Sequence, residues 1–221
     1  MAHPRVALGV ALVFCACGGG GPAPAVPGRE GAPAAGASFE GVRWGTFHSK
    51  RFELSLALPD GANWKIDDHR SAWLRGTHET THSTLALRTW NDDQIVTRKR
   101  CYARAREWDT LLPDIDQLPL IADDLRPLLG HRDARVAVGV TVASDPGAGT
   151  AGFVVAIVGD VHRCAVVVYE TDASGGATED EIADRLAIVE GRVLTSLKAD
   201  QSLIPSREPI VPPVGGVGGA R

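Results

Sequence analysis

Large apolar residues recur with period two along much of the middle of the chain, the pattern of strands that bury one face. Phe52-Glu53-Leu54-Ser55-Leu56-Ala57-Leu58 alternates in this way and stops at Pro59-Asp60-Gly61, a turn signal. Trp64 and Ile66 predict a short paired strand, and 71–76 and 82–90 two more, with Leu85, Leu87 and Thr89 on one face. Residues 92–108 switch to helical spacing, opened by Asp92 or Asp93 and carrying Ile95, Cys101, Tyr102, Ala105 and Trp108. A stretch punctuated by Pro113, Pro119 and Pro127 follows. Three further strands are predicted at 136–142, 153–158 and 162–169, the last two joined at Gly159-Asp160 as a two-residue hairpin. Thr178-Glu179-Asp180-Glu181 then reads as a capping box. Ile182, Leu186, Val189, Val193 and Leu197 recur behind it on one helical face. The pattern predicts a single α+β domain: an antiparallel sheet of about six strands with a central helix and a C-terminal helix packed on it.

This order of elements, with its opening of apolar strand, proline, turn and Trp64, resembles the α/β/α sandwich of PsbP-like domains over roughly residues 46–200. The resemblance implies a fold and no activity.

Flanking segments change the picture from a bare domain to an anchored one. Arg5 precedes the apolar run Val6–Phe14, which is too short to span a bilayer. It ends in Phe14-Cys15-Ala16-Cys17 followed by four glycines. These residues resemble the lipobox of bacterial lipoproteins, with Phe14 where a branched apolar residue is usual. The resemblance implies a signal peptide over 1–16 and lipidation of Cys17, the alternative being an ordinary signal peptide cut among the glycines. Gly18, where inner-membrane lipoproteins commonly carry Asp, implies the outer membrane, with the domain in the periplasm or at the cell surface. Residues 17–38 form a Gly/Ala/Pro-rich tether, 39–204 the globular domain, and 205–221 a Pro/Gly-rich tail expected to be disordered.

Charge and cysteines fit that compartment. The 221-residue chain is 44% hydrophobic and 23% charged, with a net charge of −4. Its mean hydropathy is −0.03. These values exclude a broadly basic nucleic-acid binder and a polytopic membrane protein. Once Cys15 leaves with the signal and Cys17 is acylated, Cys101 and Cys164 remain. In an oxidising envelope such a pair reads as a structural disulfide, the alternative being two unpaired buried thiols. Cys-x-x-Cys, the usual redox spacing, is absent.

One motif carries recognisable chemistry. His78-Glu79-Thr80-Thr81-His82 matches H-E-x-x-H, in which a helix brings both histidines onto one zinc and the glutamate becomes the general base. Here Gly76 precedes the motif and Thr77, Thr80, Thr81 and Thr84 crowd it, so a strand or hairpin is expected. A strand would hold His78 and His82 about 13 Å apart, too far for one metal. His131 and His162 are isolated candidates for a third ligand. Asp67-Asp68-His69 reads as a solvated turn, the alternative being a cation site, and Gly147-Ala148-Gly149 lacks the lysine and helix of a phosphate loop. Arg98, Lys99, Arg100, Arg104 and Arg106 make the central helix basic, suited to anionic headgroups, an acidic partner or plain solvent.

The sequence therefore reads as a membrane-tethered envelope lipoprotein with a non-enzymatic binding domain. Its partners would be the membrane, through the N-terminal lipid, and a protein or envelope component, with no nucleic acid and no cofactor. The alternative is a zinc-dependent hydrolase with His78 and His82 as ligands and Glu79 as base. The conformation of residues 76–90 separates the two.

Overall fold

Ten strands and two substantial helices make up the computed structural model, which describes residues 39, 41–142, 149–174 and 176–199. Cys15, Cys17, the tether and the tail lie outside the described residues. So does most of the glycine turn at 147–149.

Seven strands form one antiparallel sheet in the order β3-β4-β5-β9-β8-β7-β6: β3 Trp64–Asp67, β4 Leu74–His78, β5 Ser83–Asn91, β6 Leu120–Leu128, β7 His131–Val142, β8 Thr150–Asp160 and β9 Arg163–Asp172. A smaller sheet orders β1 (Trp44–Ser49), β2 (Leu54–Pro59) and β10 (Lys198–Ala199). The central strands β8 and β9 are apolar at consecutive positions because both faces of the large sheet are covered. On one face Val154, Ala156, Val167 and Tyr169 meet Leu54, Leu56 and Leu58 of β2 and the helix α2 (Glu179–Ile188). On the other, Phe153, Val155, Ile157 and Val166 meet helix α1 (Arg98–Trp108) and Leu112 and Ile115 of the loop after it. Gly152 lies under α2, where a Cβ would come within 2.8 Å of both Ile182 and Leu186.

The C-terminal helix forms as its sequence predicts. Glu181 N–H donates to Thr178 Oγ1 and Thr178 N–H to Glu181 Oε2, and all five periodic apolar residues are buried. After α2 the chain widens into a π-helical turn, Val189–Val193, before a last helical turn, Leu194–Ser196 (α3).

The antiparallel α+β arrangement is as expected, with seven strands in the large sheet; β6 there and β1 and β10 in the small sheet were unanticipated, and two positions require correction, the start of the central helix and the last hairpin turn. β6 was hidden by its prolines: it is an edge strand, where Pro127 breaks no ladder, and its register with β7 shifts at both ends. The central helix starts at Arg98, capped by Thr97, not at Asp92 or Asp93. Asp92 N–H donates to His162 O and Val96 N–H to Val161 O, so 92–96 is held against the β8–β9 turn and Ile95 is 74% exposed. That turn itself lies at Val161-His162, since Asp160 pairs with Arg163, and Val161 sits at φ 47°.

Candidate functional site

The H-E-x-x-H residues occupy a β-hairpin. His78 ends β4, residues 79–82 form the turn, and His82, at φ 46°, leads into β5. The helix that would aim both imidazoles at one ion is absent. His78 is 2% exposed and both its ring nitrogens are engaged. A carboxylate only accepts, so Nε2–H donates to Asp60 Oδ2 at 3.2 Å and, in the neutral ring, Nδ1 accepts from Thr81 Oγ1 at 2.8 Å. The run continues from Ser83 Oγ to Thr81 Oγ1 at 2.8 Å and from Tyr169 Oη to Ser83 Oγ at 2.9 Å. Arg185 of α2 closes it, donating from Nη1 to Thr81 O at 3.0 Å and Thr171 Oγ1 at 3.2 Å. Glu79 projects to solvent and pairs with Lys65, whose hydrogen bond and charge hold its carboxyl below the ordinary range. The geometry ties the hairpin to β9 and α2, and the zinc arrangement of His78, Glu79 and His82 does not form. Among the described residues no group of three or more His, Cys, Asp or Glu side chains is arranged to hold a metal.

Three concavities stand out among the described residues. The smallest, about 320 Å³, lies on the α1 face between Thr84, Phe153 and Glu170 on the sheet and Pro113 and Leu118 in the loop after α1. Burial, and secondarily the neighbouring Asp109 carboxylate, push the Glu170 carboxyl above its ordinary value. Asp109 itself is buried and bound to Arg75.

The second, about 790 Å³, is a groove between α1 and the end of β5, lined by Ala103, Trp90 and Trp108 among others. The two indoles meet edge to face at 5.0 Å. Arg88 stacks on Trp108 with its guanidinium carbon 3.6 Å from the ring centre. Burial, then the nearby Arg104, lowers the Arg88 pKa below its ordinary value.

The third, about 800 Å³, opens between the small sheet and the end of the large one. Its walls are mixed, with an apolar part made by Phe52 in the turn before β2, Leu54 of β2, Leu129 before β7, Val158 of β8 and Leu197 beside β10, and a polar part that includes Ser55, Thr89 and Asn91. Its rim is basic, with His48 and Arg51, Arg163 and Lys198 supplied by three separate segments. Arg51, Arg163 and Lys198 are exposed, and among the described residues none has a carboxylate within ion-pair distance. Arg51 donates instead to the Asp68 backbone oxygen at 2.8 Å. Glu53 is the one acidic side chain of the lining. Cys164 lines the cleft's inner end, its Sγ 1.99 Å from that of Cys101, at disulfide distance.

The basic residues of α1 do not form a free cationic face. Arg98 pairs with Asp133, Arg100 with Asp92, Arg104 with Glu107 and Arg106 with Asp114. The cationic rim that does form draws on residues with no motif and no spacing between them. Only the topology brings 48–51, 163 and 198 to one end of the sandwich.

No protein-family profile matches the chain, and no curated protein does. Among solved structures it is similar to the cyanobacterial PsbP (CyanoP) of Synechocystis sp. PCC 6803, at 11% identity over 78% of this chain and 96% of that one, with a TM-score of 0.44. It is also similar to a protein of Bacteroides thetaiotaomicron, at 13% identity over 70% of this chain and 47% of that one, with a TM-score of 0.39. The chain thus spans about half the length of the Bacteroides protein. No helix among the described residues is long and apolar enough to cross a membrane.

Proposed function

We propose that this chain is an envelope lipoprotein, anchored through Cys17, whose domain is a non-enzymatic binding module for an anionic ligand with an apolar body. One observation carries the ligand assignment: the cleft between the sheets sets the apolar part of its walls beside a rim of exposed cations that pair with no carboxylate among the described residues. An alkyl chain against Phe52, Leu129 and Val158 would be removed from water, while its acidic head would meet Arg51, Arg163 and Lys198. The anchor rests on the lipobox-like Phe14–Cys17 and the glycine-rich spacer behind it. Envelope partners, a protein or a wall component, are met at the end of that tether. The non-enzymatic reading rests on the fate of the motif that carried chemistry, since His78 is held by Asp60 and Thr81 and Glu79 by Lys65.

The test uses the full chain. Expressed in a Gram-negative host fed an alkyne fatty acid, the wild type should take up label and Cys17→Ser should not. In calorimetry, laurate or dodecyl phosphate should bind, while inorganic phosphate and dodecyl maltoside should not. An Arg51→Glu/Arg163→Glu/Lys198→Glu variant with unchanged unfolding temperature should bind laurate at least tenfold more weakly. Equal laurate affinity in that variant would reject the cleft as the ligand site.

A further inference from the structure

The groove beside α1 differs in chemistry from the cleft between the sheets, with which it shares Trp90 and Asn91 at the end of β5. We infer that it is a second binding site, and that its ligand is an oligosaccharide carrying carboxylate groups. The inference does not depend on the occupant of the cleft.

The α1 wall of the groove consists of Arg100, Ala103, Arg104 and Glu107, positions that recur on one helical face. Ala103 is the small residue that gives it depth. From Arg100 to Trp108 the wall runs about 12 Å, long enough for a short oligomer. Opposite it, the end of β5 and the residues that follow contribute Arg88, Trp90, Asn91, Asp92 and Asp93.

Three arginines face three carboxylates, so the lining carries no excess of either sign. A purely ionic partner has little to gain from such a surface. A ring bearing several hydroxyls does, because each hydroxyl both donates and accepts. Guanidinium and carboxylate groups are planar and bidentate, matched to pairs of neighbouring oxygens. The Trp90–Trp108 pair adds aromatic surface for the C–H groups of a sugar ring, beyond the part of Trp108 that the Arg88 and Arg104 guanidinium groups cover with their carbons 3.6 Å and 5.2 Å from its ring centre. Trp108 is 37% exposed, and the Arg88 stack and the Trp90 edge fix its orientation. It is therefore presented without an ordering cost on binding.

Arg88 supplies the acidic requirement. Arg100 is paired with Asp92 and Arg104 with Glu107, but Arg88 lies among Trp73, Trp108 and Arg104 with no carboxylate in reach among the described residues. A half-buried guanidinium beside a like charge gains from an incoming carboxylate, and Arg binds carboxylates in a planar, two-bonded geometry. A uronic acid or another carboxylated sugar offers that group together with the hydroxyls and the apolar ring face.

The test titrates the full chain with oligogalacturonate, with maltohexaose as the uncharged saccharide and with poly-glutamate as the acidic peptide. It reads the five tryptophan indole N–H resonances, which Trp44, Trp64, Trp73, Trp90 and Trp108 supply. Oligogalacturonate should shift the Trp90 and Trp108 signals, and maltohexaose should bind at least tenfold more weakly. Arg88→Gln should lose the preference for the acidic sugar, and Trp108→Ala, a change at an exposed position, should weaken both sugars. Both variants are first shown to unfold at the wild-type temperature. Binding of poly-glutamate as tight as that of oligogalacturonate would overturn the proposal in favour of simple charge attraction. Failure of oligogalacturonate to move either indole would overturn it outright.

Discussion

The link between Cys101 and Cys164 offers the sharpest test of how α1 is held. The helix has eleven residues, five of them cationic, and only Cys101, Tyr102 and Ala105 are buried. Burying the Tyr102 ring contributes on the order of 2 kcal/mol, and its hydroxyl donates to Pro113 O at 2.6 Å. A covalent bond across a sequence separation of 63 residues restricts the unfolded chain far more. The loop-entropy relation puts its contribution at about 4 kcal/mol for a loop of that size, the upper end of the common range of about 2–4. The double variant Cys101→Ala/Cys164→Ala should therefore lose about 3–4 kcal/mol in urea unfolding, with a larger m-value as the unfolded state expands. The loss should not be uniform: amides of α1 should exchange fastest, those of β8 and β9 slowest, because the helix loses its main tie while the sheet keeps both covered faces. A loss below about 1 kcal/mol, or two alkylatable thiols in the native protein, would refute the reasoning.

Two further outcomes are expected. Val161 holds a β-branched side chain at φ 47° and is 57% exposed, so Val161→Gly should relieve left-handed strain of about 1–2 kcal/mol. Set against the entropy glycine loses on folding, a net gain of about 1 kcal/mol is expected, read by chemical unfolding; a loss would show that the side chain packs usefully. Glu170 has a raised folded-state pKa, so the folded protein binds this proton more tightly than the unfolded chain, and stability falls as pH rises above the ordinary value of 4.5. Glu170→Gln should match the wild type near pH 4 and exceed it at pH 7; an equal deficit at both would show that the ionised carboxylate is not penalised.

The parts of the fold legible in the sequence are those in which one residue decides one local structure. Thr178 and Glu181 marked the start of α2, and the alternation of 83–90 placed Leu85 and Leu87 inward, where both are fully buried. The proline-rich stretch was opaque because Pro127 excludes a central strand but not an edge one, and edge position is a property of the whole sheet. The start of α1 was misplaced for a similar reason. Asp92 and Asp93 are good caps, but the backbone there is claimed by the β8–β9 turn through Val161 and His162, and that claim is invisible locally.

Function divides along the same line. H-E-x-x-H was readable as letters, and the threonines around it were readable as a reason for no helix. What could not be read is the use the fold makes of His78. Asp60, Thr81, Ser83, Tyr169 and Arg185 come from three elements and two turns; Asp60 and Thr81 give the buried imidazole both its partners, and the other three hold Thr81 in place. A buried, fully bonded histidine has no lone pair left for a metal unless those bonds break, at a cost of roughly 1–3 kcal/mol for each buried group left unpaired. The opposite holds for Arg51, Arg88, Arg163 and Lys198. Nothing in their local sequence distinguishes them from Lys65, Arg75, Arg98, Arg126 and the other cations that the fold pairs with an acid among the described residues. They become candidates only because it leaves them without one, beside walls of apolar or aromatic side chains. Charge that folding neutralises is structural; charge that it exposes over an apolar surface is available to a ligand.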